Sequence, residues 1–339
     1  MLINKDIPFF IAEISANHLG SFERAKQLVA AAAVAGADAV KFQTYTADSM
    51  TLDLESLKVS DNHELWGGRT LYSLYEEAST PWEWHKELFD FARQLGLVPF
   101  SSPFSVEAVD FLETLDCPMY KIASLETSDH QLIRKVASTQ KPIIISTGAT
   151  EWNEIEALVN VVRAEGNEDL TLLLCTSSYP ADPADANLNR IERLRNSFGA
   201  KIGISDHTLG LGVTLAAIGL GATVVEKHIT LRRSDGGADG AFSMEPNEFR
   251  EMVFAGRDAA KALGSSEWSM QASEQESRRL RRSLYIVKDV KEGEEVTMDN
   301  IRAIRPGQGM SPSRLTEVLG KKFKGNFVPG TPLQPGLVK

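Results

Sequence analysis

Short apolar runs alternate with amphipathic stretches along the first 265 residues of the chain. The runs are rich in β-branched residues and apolar on both faces, which is typical of strands that are covered on both sides. They lie at 9–15, 39–44, 97–102, 119–124, 142–147, 171–177, 201–207 and 223–229. Helical spacing of apolar residues follows each run, at 22–35, 82–95, 105–115, 129–138, 151–164, 187–198, 210–220 and 246–263.

This strict alternation predicts an α/β fold of parallel strands joined by crossover helices. An open, doubly wound sheet would show the same alternation. The count of eight strands favours closure into a (β/α)₈ barrel, the TIM barrel, which typically takes about 250 residues. The 339-residue chain therefore has room for a barrel and one small additional domain.

The pattern departs from simple alternation in two places. Segment 45–81 is a long insertion after the second predicted strand, and loops of this length in compact domains are usually functional or disordered. Near residue 264 the helical pattern gives way to a polar stretch, followed by short strands rich in Gly and Pro. We expect a TIM-barrel catalytic domain at 1–264, a linker at 265–282 and a small β-rich domain at 283–339.

The acidic composition narrows the range of partners. A formal net charge of −10 repels nucleic acid and anionic membranes, so we expect neither as a partner. Cys117 and Cys175 are the only cysteines, which fits a reducing cytoplasm. The N-terminus lacks the layout of a signal peptide, and the apolar run Pro8–Ile14 is too short to span a membrane. These features predict a cytoplasmic protein.

Polar residues that end predicted strands 7 and 8 indicate a metal site, because the catalytic residues of TIM barrels lie at the carboxyl ends of strands. Glu226 and His228 are two residues apart and so face the same side of one strand. His207 ends the neighbouring strand, about 4.8 Å away. Two imidazoles and a carboxylate commonly bind a divalent metal. Hydrogen-bonded structural histidines are the alternative, but convergence of the three residues favours the metal.

Two lysines within apolar strands indicate a bound anion. Lys41 and Lys121 would be costly at these positions unless each met a negative charge. The hydroxyls that surround them at strand ends belong to Ser102, Ser124, Ser146 and Ser205. Helix N-termini that follow 146–148 and 209–212 would also favour phosphate. Acid/base groups and sugar-hydroxyl ligands on the same rim are expected from Glu13, Gln43, Glu126 and Asp239.

The chain resembles the sialic acid synthase family in a set of motifs spread over nearly its whole length. These are AEISANHLG (12–20), AVKFQTY (39–45), YKIASLE (120–126), STGA (146–149), GISDHT (203–208), EKHIT (226–230) and ADGAFSMEP (238–246). The C-terminal part, with RPGQGMSP (305–312), is similar to the antifreeze-like (SAF) domain of that family. LWGGRTLYSLYEEASTPWEWH (65–85) further resembles its pseudaminic acid synthase branch.

The resemblance implies a condensation in which C3 of phosphoenolpyruvate attacks the aldehyde carbon of an open-chain acetamido sugar. Water then adds at C2, and phosphate leaves by C–O cleavage. The branch implies 2,4-diacetamido-2,4,6-trideoxy-L-altrose as the sugar. Ser177 stands where N-acetylneuraminate synthases usually carry Asn, which disfavours N-acetylmannosamine. The alternatives are an N-acetylneuraminate or legionaminate synthase and, in another class, a non-catalytic carbohydrate-binding protein.

The resemblance also implies roles for individual residues. Phosphoenolpyruvate would be bound by Lys41, Ser102, Lys121, Ser124, Ser146, Ser177 and Ser205. The sugar would be bound by Glu13, Gln43, Tyr179, Asp239 and Arg305, and the catalytic groups would be Glu13, Lys121, Glu126 and Asp239. A divalent metal, Mn²⁺ in preference to Mg²⁺ or Co²⁺, would be held by His207 and His228, with Glu226 near it. Arg305 would enter the neighbouring subunit's site in a domain-swapped homodimer.

Overall fold

The structure, a computed structural model, describes residues 7–60 and 66–339. The described residues group into two compact units that divide after Gly264. Positions 61–64 of the predicted insertion, Leu65 of its motif and the first six residues of the N-terminal segment lie outside the described residues.

Within the described residues, the first unit contains eight parallel strands that close into a barrel in sequence order, with the first strand paired to the eighth. This arrangement confirms the predicted fold class. The strands are β1 Phe9–Glu13, β2 Ala39–Thr44, β3 Val98–Pro103, β4 Tyr120–Ile122, β5 Ile143–Ser146, β6 Leu170–Cys175, β7 Lys201–Ser205 and β8 Val224–His228. Each lies within two residues of its predicted bounds.

Amphipathic helices cover the outside of the barrel. They are α1 Phe22–Val34, α4 Trp82–Gln94, α5 Val106–Glu113, α6 His130–Ser138, α7 Trp152–Ala164, α8 Arg190–Phe198, α9 Gly212–Gly219 and α10 Pro246–Leu263. Several begin at a capping side chain. Ser21 accepts a hydrogen bond from the backbone N–H of Arg24, and Asp129 accepts from those of Gln131 and Leu132. Such caps satisfy donors that the first helical turn leaves free.

The insertion after β2 has secondary structure of its own. It contains the short helices α2 Ala47–Met50 and α3 Leu71–Ala78. An antiparallel bridge joins Lys58 to Thr70, and the Thr70 side chain caps α3. In the described part of the chain, the helices lack the combination of length and apolar character required to cross a membrane.

The second unit has a separate apolar core. Strands β9 Ser283–Ile286 and β10 Ile301–Ile304 pair antiparallel. This unit also contains the short helices α11 Gln275–Arg279 and α12 Leu315–Val318 and several single turns of 3-10 helix. The core packs around Leu284, Ile286, Phe323 and Leu333, all fully buried.

Candidate active site

A cavity of about 310 Å³ opens at the carboxyl ends of the barrel strands. Most of the residues predicted to form the site line it. They are Glu13, Lys41, Gln43, Lys121, Ser124, Glu126, Ser146, Tyr179, Ser205, His207, Glu226, His228 and Asp239. Residues from distant parts of the sequence meet here because the parallel strands bring their carboxyl ends to one rim.

Three predicted residues do not line this cavity. Ser102 is buried and accepts a hydrogen bond from Lys41 Nζ at 3.4 Å, so it contacts the lysine rather than the cavity. Ser177 lies against Gly148, where a Cβ would collide with the Ser177 hydroxyl. Arg305 is exposed in the second unit, and its role in a neighbouring subunit stays a prediction.

Lys41 lies between two carboxyl groups in the centre of the rim. Its Nζ is 3.0 Å from Glu13 Oε2 and 3.2 Å from Glu226 Oε2. Burial raises the pKa of Glu13 to about 7, with Lys41 opposing this shift and Glu226 adding to it. Burial also acts to raise the pKa of Glu226, but Lys41 and Lys121 outweigh it and lower that pKa. Glu13 is therefore poised to exchange a proton near neutral pH while Glu226 stays ionised.

Lys121 supplies a second buried cation, and several serine hydroxyl groups line the same cavity. Its Nζ donates to the backbone carbonyl of Ile122 at 2.9 Å, and burial lowers the pKa of this lysine to about 8. Ser124 accepts a hydrogen bond from the Gly148 N–H at 3.1 Å. Among the described residues, the buried Ser146 hydroxyl has no hydrogen-bond partner. A cation beside available hydroxyl donors is suited to binding phosphate.

A further carboxyl group lies beside Glu13. Gln43 donates to Glu13 Oε1 at 3.2 Å and to the Ser15 hydroxyl at 3.1 Å. Ser15 in turn donates to Asp239 Oδ2, and burial raises the pKa of Asp239 against the effect of this hydrogen bond. Ser15 was not predicted as a site residue. Its position two residues after Glu13, directly beyond the end of β1, is the signal that identifies it.

His207, just beyond the end of β7, lies beside His228, which ends β8. Their ring centres are 5.3 Å apart. His207 Nδ1 lies 3.0 Å from the backbone carbonyl of Thr176, and donation to that carbonyl leaves Nε2 as an acceptor. His228 Nδ1 is buried without a hydrogen-bond partner in the described part of the chain. Burial, followed by His207, lowers the pKa of His228 well below its usual range, which keeps this imidazole neutral as metal binding requires.

Glu226 has other partners than a metal ion. Its Oε1 accepts a hydrogen bond from Ser205 at 3.0 Å, and its Oε2 faces Lys41. Among residues 7–60 and 66–339, the structure contains no group of three or more His, Cys, Asp or Glu side chains arranged to hold a metal ion. The role of Glu226 beside a metal, like that of the two imidazoles as its ligands, therefore stays a prediction.

Aromatic rings and a thiol pack around the two histidines. The Tyr179 ring centre is 4.5 Å from that of His207, and Phe242 lies 5.0 Å from His228. Cys175 lines the cavity, and its Sγ is 3.9 Å from His207 Nδ1. Phe242 and Cys175 were not predicted. Cys175 ends β6 and stands two residues before Ser177, a position that marks it as a rim residue.

The sequence profile of the NeuB family matches residues 28–268. The chain belongs to the NeuB family. A second profile, that of the SAF domain, matches residues 281–339. The predicted resemblance to the sialic acid synthases and their antifreeze-like domain is thus confirmed.

Characterised relatives and solved structures agree with this membership. The chain is 45% identical to a pseudaminic acid synthase of Helicobacter pylori, over 96% of each chain. It is 36% identical to an N,N'-diacetyllegionaminic acid synthase of Legionella pneumophila, over 96% of this chain and 93% of the relative. The structure of N-acetylneuraminic acid synthetase from Leptospira borgpetersenii superposes with a TM-score of 0.72 at 30% identity, covering 80% of this chain and 90% of that one.

Proposed function

We propose that this NeuB-family chain is a pseudaminic acid synthase. It condenses phosphoenolpyruvate with 2,4-diacetamido-2,4,6-trideoxy-L-altrose and water, and releases pseudaminic acid and phosphate by C–O cleavage. The observation that carries the proposal is the 45% identity to the Helicobacter pylori synthase over 96% of both chains. The legionaminate relative is 36% identical over similar coverage. A non-catalytic carbohydrate-binding protein would have no need for the buried lysines and carboxyl groups of the rim.

The phosphoenolpyruvate half of the site is assigned to the rim of β4, β5 and β7. Lys121 and the hydroxyls of Ser124, Ser146 and Ser205 bind the phosphate, because together they offer one cation and several donors. Lys41 lies between Glu13 and Glu226 and is placed to contact the carboxylate of the same substrate. Charge-assisted hydrogen bonds of this kind are roughly twice as strong as neutral ones.

The sugar half is assigned to Glu13, Gln43, Tyr179 and Asp239. Carbon–carbon bond formation turns the aldehyde oxygen into a hydroxyl group, which must gain a proton. Glu13, with its pKa raised to about 7, can hold that proton near neutral pH. The water that adds at C2 must lose a proton, and Glu126, whose pKa burial raises, is the proposed acceptor.

The two histidines are proposed to hold a divalent metal, Mn²⁺ in preference to Mg²⁺ or Co²⁺. When bound, such an ion would supply Lewis-acid polarisation of the sugar aldehyde. The proposal also includes a homodimer in which Arg305 of one subunit contacts the acetamido group bound in the other. For Arg305→Ala we expect a larger rise in KM for the sugar than for phosphoenolpyruvate; equal effects would argue against this contact.

Phosphate release tests the proposed reaction directly. The purified chain is incubated with phosphoenolpyruvate, Mn²⁺ and one of three sugars: the altrose derivative, N-acetylmannosamine or the legionaminate precursor. We expect the highest kcat/KM with the altrose derivative. If that sugar alone fails to support release while another succeeds, the substrate assignment is wrong. If none of the three supports release, the proposed reaction is wrong.

A further inference from the structure

The active-site cavity has a second face of a different chemical character. Aliphatic side chains of the insertion line the same cavity as the charged rim. We define this surface as the apolar wall; its members are Met50, Val59, Leu71 and Leu74. None of the four carries a charged, amide or hydroxyl group. The insertion therefore adds an aliphatic surface to a cavity whose rim is otherwise rich in polar groups.

Backbone hydrogen bonds hold the apolar wall in place. The Val59 N–H donates to the Arg69 carbonyl at 3.0 Å, and the Leu71 N–H donates to the Leu57 carbonyl at 2.9 Å. Leu74 follows on the first turns of α3 and is 7% exposed. The wall is thus a paired, helix-anchored element within the described residues, so its shape exists before any ligand binds.

The insertion that carries the apolar wall also contacts the sugar-binding half of the cavity. Trp66, from the same insertion, donates its indole N–H to the Ala238 carbonyl at 3.0 Å, next to Asp239 in the chain. Its ring centre is 6.0 Å from that of Tyr179. Both Tyr179 and Asp239 are assigned to the sugar. Through Trp66, the insertion that carries the apolar wall therefore contacts the part of the cavity assigned to the acceptor.

We propose that the apolar wall is a specificity determinant that contacts the C6 methyl group of a 6-deoxy acceptor sugar. This inference rests on the proposed function, which supplies a sugar bearing that methyl group. A sugar with a hydroxymethyl group at C6 would bury a hydroxyl against side chains that offer it no hydrogen bond. Hydrophobic pockets reject an added hydroxyl by a factor on the order of 100.

The test compares two acceptors that differ only at C6: 2,4-diacetamido-2,4,6-trideoxy-L-altrose and its 6-hydroxy counterpart. Phosphate release gives kcat/KM for each, and their ratio is the readout. For the unaltered enzyme we expect the 6-deoxy sugar to be preferred by about 100-fold. Val59→Thr keeps the shape of the side chain and replaces one methyl group with a hydroxyl, so the ratio should fall by roughly fivefold or more. Leu74→Asn should lower it further.

Leu54→Asn is the matched control, because Leu54 belongs to the same insertion but is 48% exposed and does not line the cavity. The ratio of kcat/KM for the two sugars should be the same in this variant as in the unaltered enzyme. Equal use of both sugars by the unaltered enzyme, or a ratio that Val59→Thr leaves unchanged, would overturn the role of the wall while leaving the synthase activity in place. If neither sugar releases phosphate, the proposed function fails and the inference fails with it.

Discussion

Strand β8 carries buried charged residues on both of its faces. The two faces differ in whether the polar atoms around these charges have hydrogen-bond partners. Glu226 points into the barrel towards Lys41, at 3.2 Å. Lys227, the next residue, lies on the outer face. Its Nζ is 2.9 Å from Asp206 Oδ2 and donates to the Thr208 carbonyl at 2.6 Å.

We call Lys227 and Asp206 the outer pair, and both members have several hydrogen-bond partners. Asp206 also accepts from the Thr208 N–H at 2.9 Å and from the Thr214 hydroxyl at 2.8 Å. On the inner face, by contrast, Ser146 Oγ, Glu126 Oε2 and His228 Nδ1 lack hydrogen-bond partners among the described residues. A buried charge by itself therefore does not mark a functional site. Several unsatisfied polar atoms beside buried charges in one cavity are a stronger signal, because a ligand or solvent can satisfy them there.

The largest expected effect concerns the outer pair and stability. Lys227→Met leaves Asp206 as a buried carboxylate without its cation, so the free energy of unfolding should fall by about 3–5 kcal/mol. Urea denaturation measures this change. Lys261→Met is the control, because its partner Asp258 is exposed and such pairs contribute about 1 kcal/mol or less. A loss below about 1 kcal/mol for Lys227→Met would contradict a structural role for the outer pair.

The next largest effect concerns the two histidines. His228→Ala should lower kcat by about 100-fold or more, since a Lewis-acid metal contributes several kcal/mol to the transition state. A chelator should produce a similar loss in the unaltered enzyme, and added Mn²⁺ should reverse it. His130→Ala, on α6, should retain full activity. Turnover that survives both chelation and His228→Ala would contradict a catalytic role for a bound metal.

Two variants that each delete one hydroxyl group distinguish the ligand-binding rim from the structural outer pair. Ser146→Ala should weaken phosphoenolpyruvate binding by about tenfold or more, the effect of one hydrogen bond to a charged group, without lowering stability. Thr214→Ala should leave that affinity unchanged and lower the free energy of unfolding by about 1–3 kcal/mol, because it removes a donor to Asp206. Calorimetric titration and urea denaturation give the two quantities. Equal changes in affinity and in the free energy of unfolding for the two variants would contradict the assignment of Ser146 to binding and of Thr214 to stability.

The smallest effect is a dependence on pH. Lys121 has a pKa lowered to about 8 by burial and binds an anion only while protonated. The affinity for phosphoenolpyruvate, measured by calorimetric titration over a series of pH values, should therefore show an alkaline limb that falls as the pH rises through about 8. Lys121→Arg, whose guanidinium stays charged, should lack this alkaline limb. A profile for the unaltered enzyme that stays flat to pH 10 would exclude Lys121 as the titrating group.

The barrel was predictable from sequence because its strands and helices carry strong local patterns. Runs such as PIIIST, at 142–147, are apolar on both faces, and the structure places β5 at Ile143–Ser146 within that run. The rim was predictable for a related reason. A residue at the carboxyl end of a barrel strand lies at the rim whatever its neighbours are, so position alone indicated Glu13, Ser205 and His228.

The choice of partners within the rim was not predictable. Strand spacing indicated that Glu226 and His228 share a side, but it did not show that Lys41 on β2 reaches Glu226 on β8 past the intervening β1. The contact depends on the length and conformation of the lysine side chain. Ser102 and Ser177 were predicted to line the cavity, but they do not. Whether a hydroxyl faces a cavity or a neighbouring side chain depends on three-dimensional packing, which the sequence pattern does not show.

A crystal structure with phosphoenolpyruvate bound tests the central claim most directly. The unsatisfied polar groups of the inner rim are predicted to become satisfied by the substrate. The phosphate should accept hydrogen bonds from Ser146 Oγ and Lys121 Nζ, while Asp206 and Lys227 on the outer face keep their present partners. Phosphoenolpyruvate bound elsewhere, or bound in this cavity with Ser146 still lacking a partner, would contradict the account.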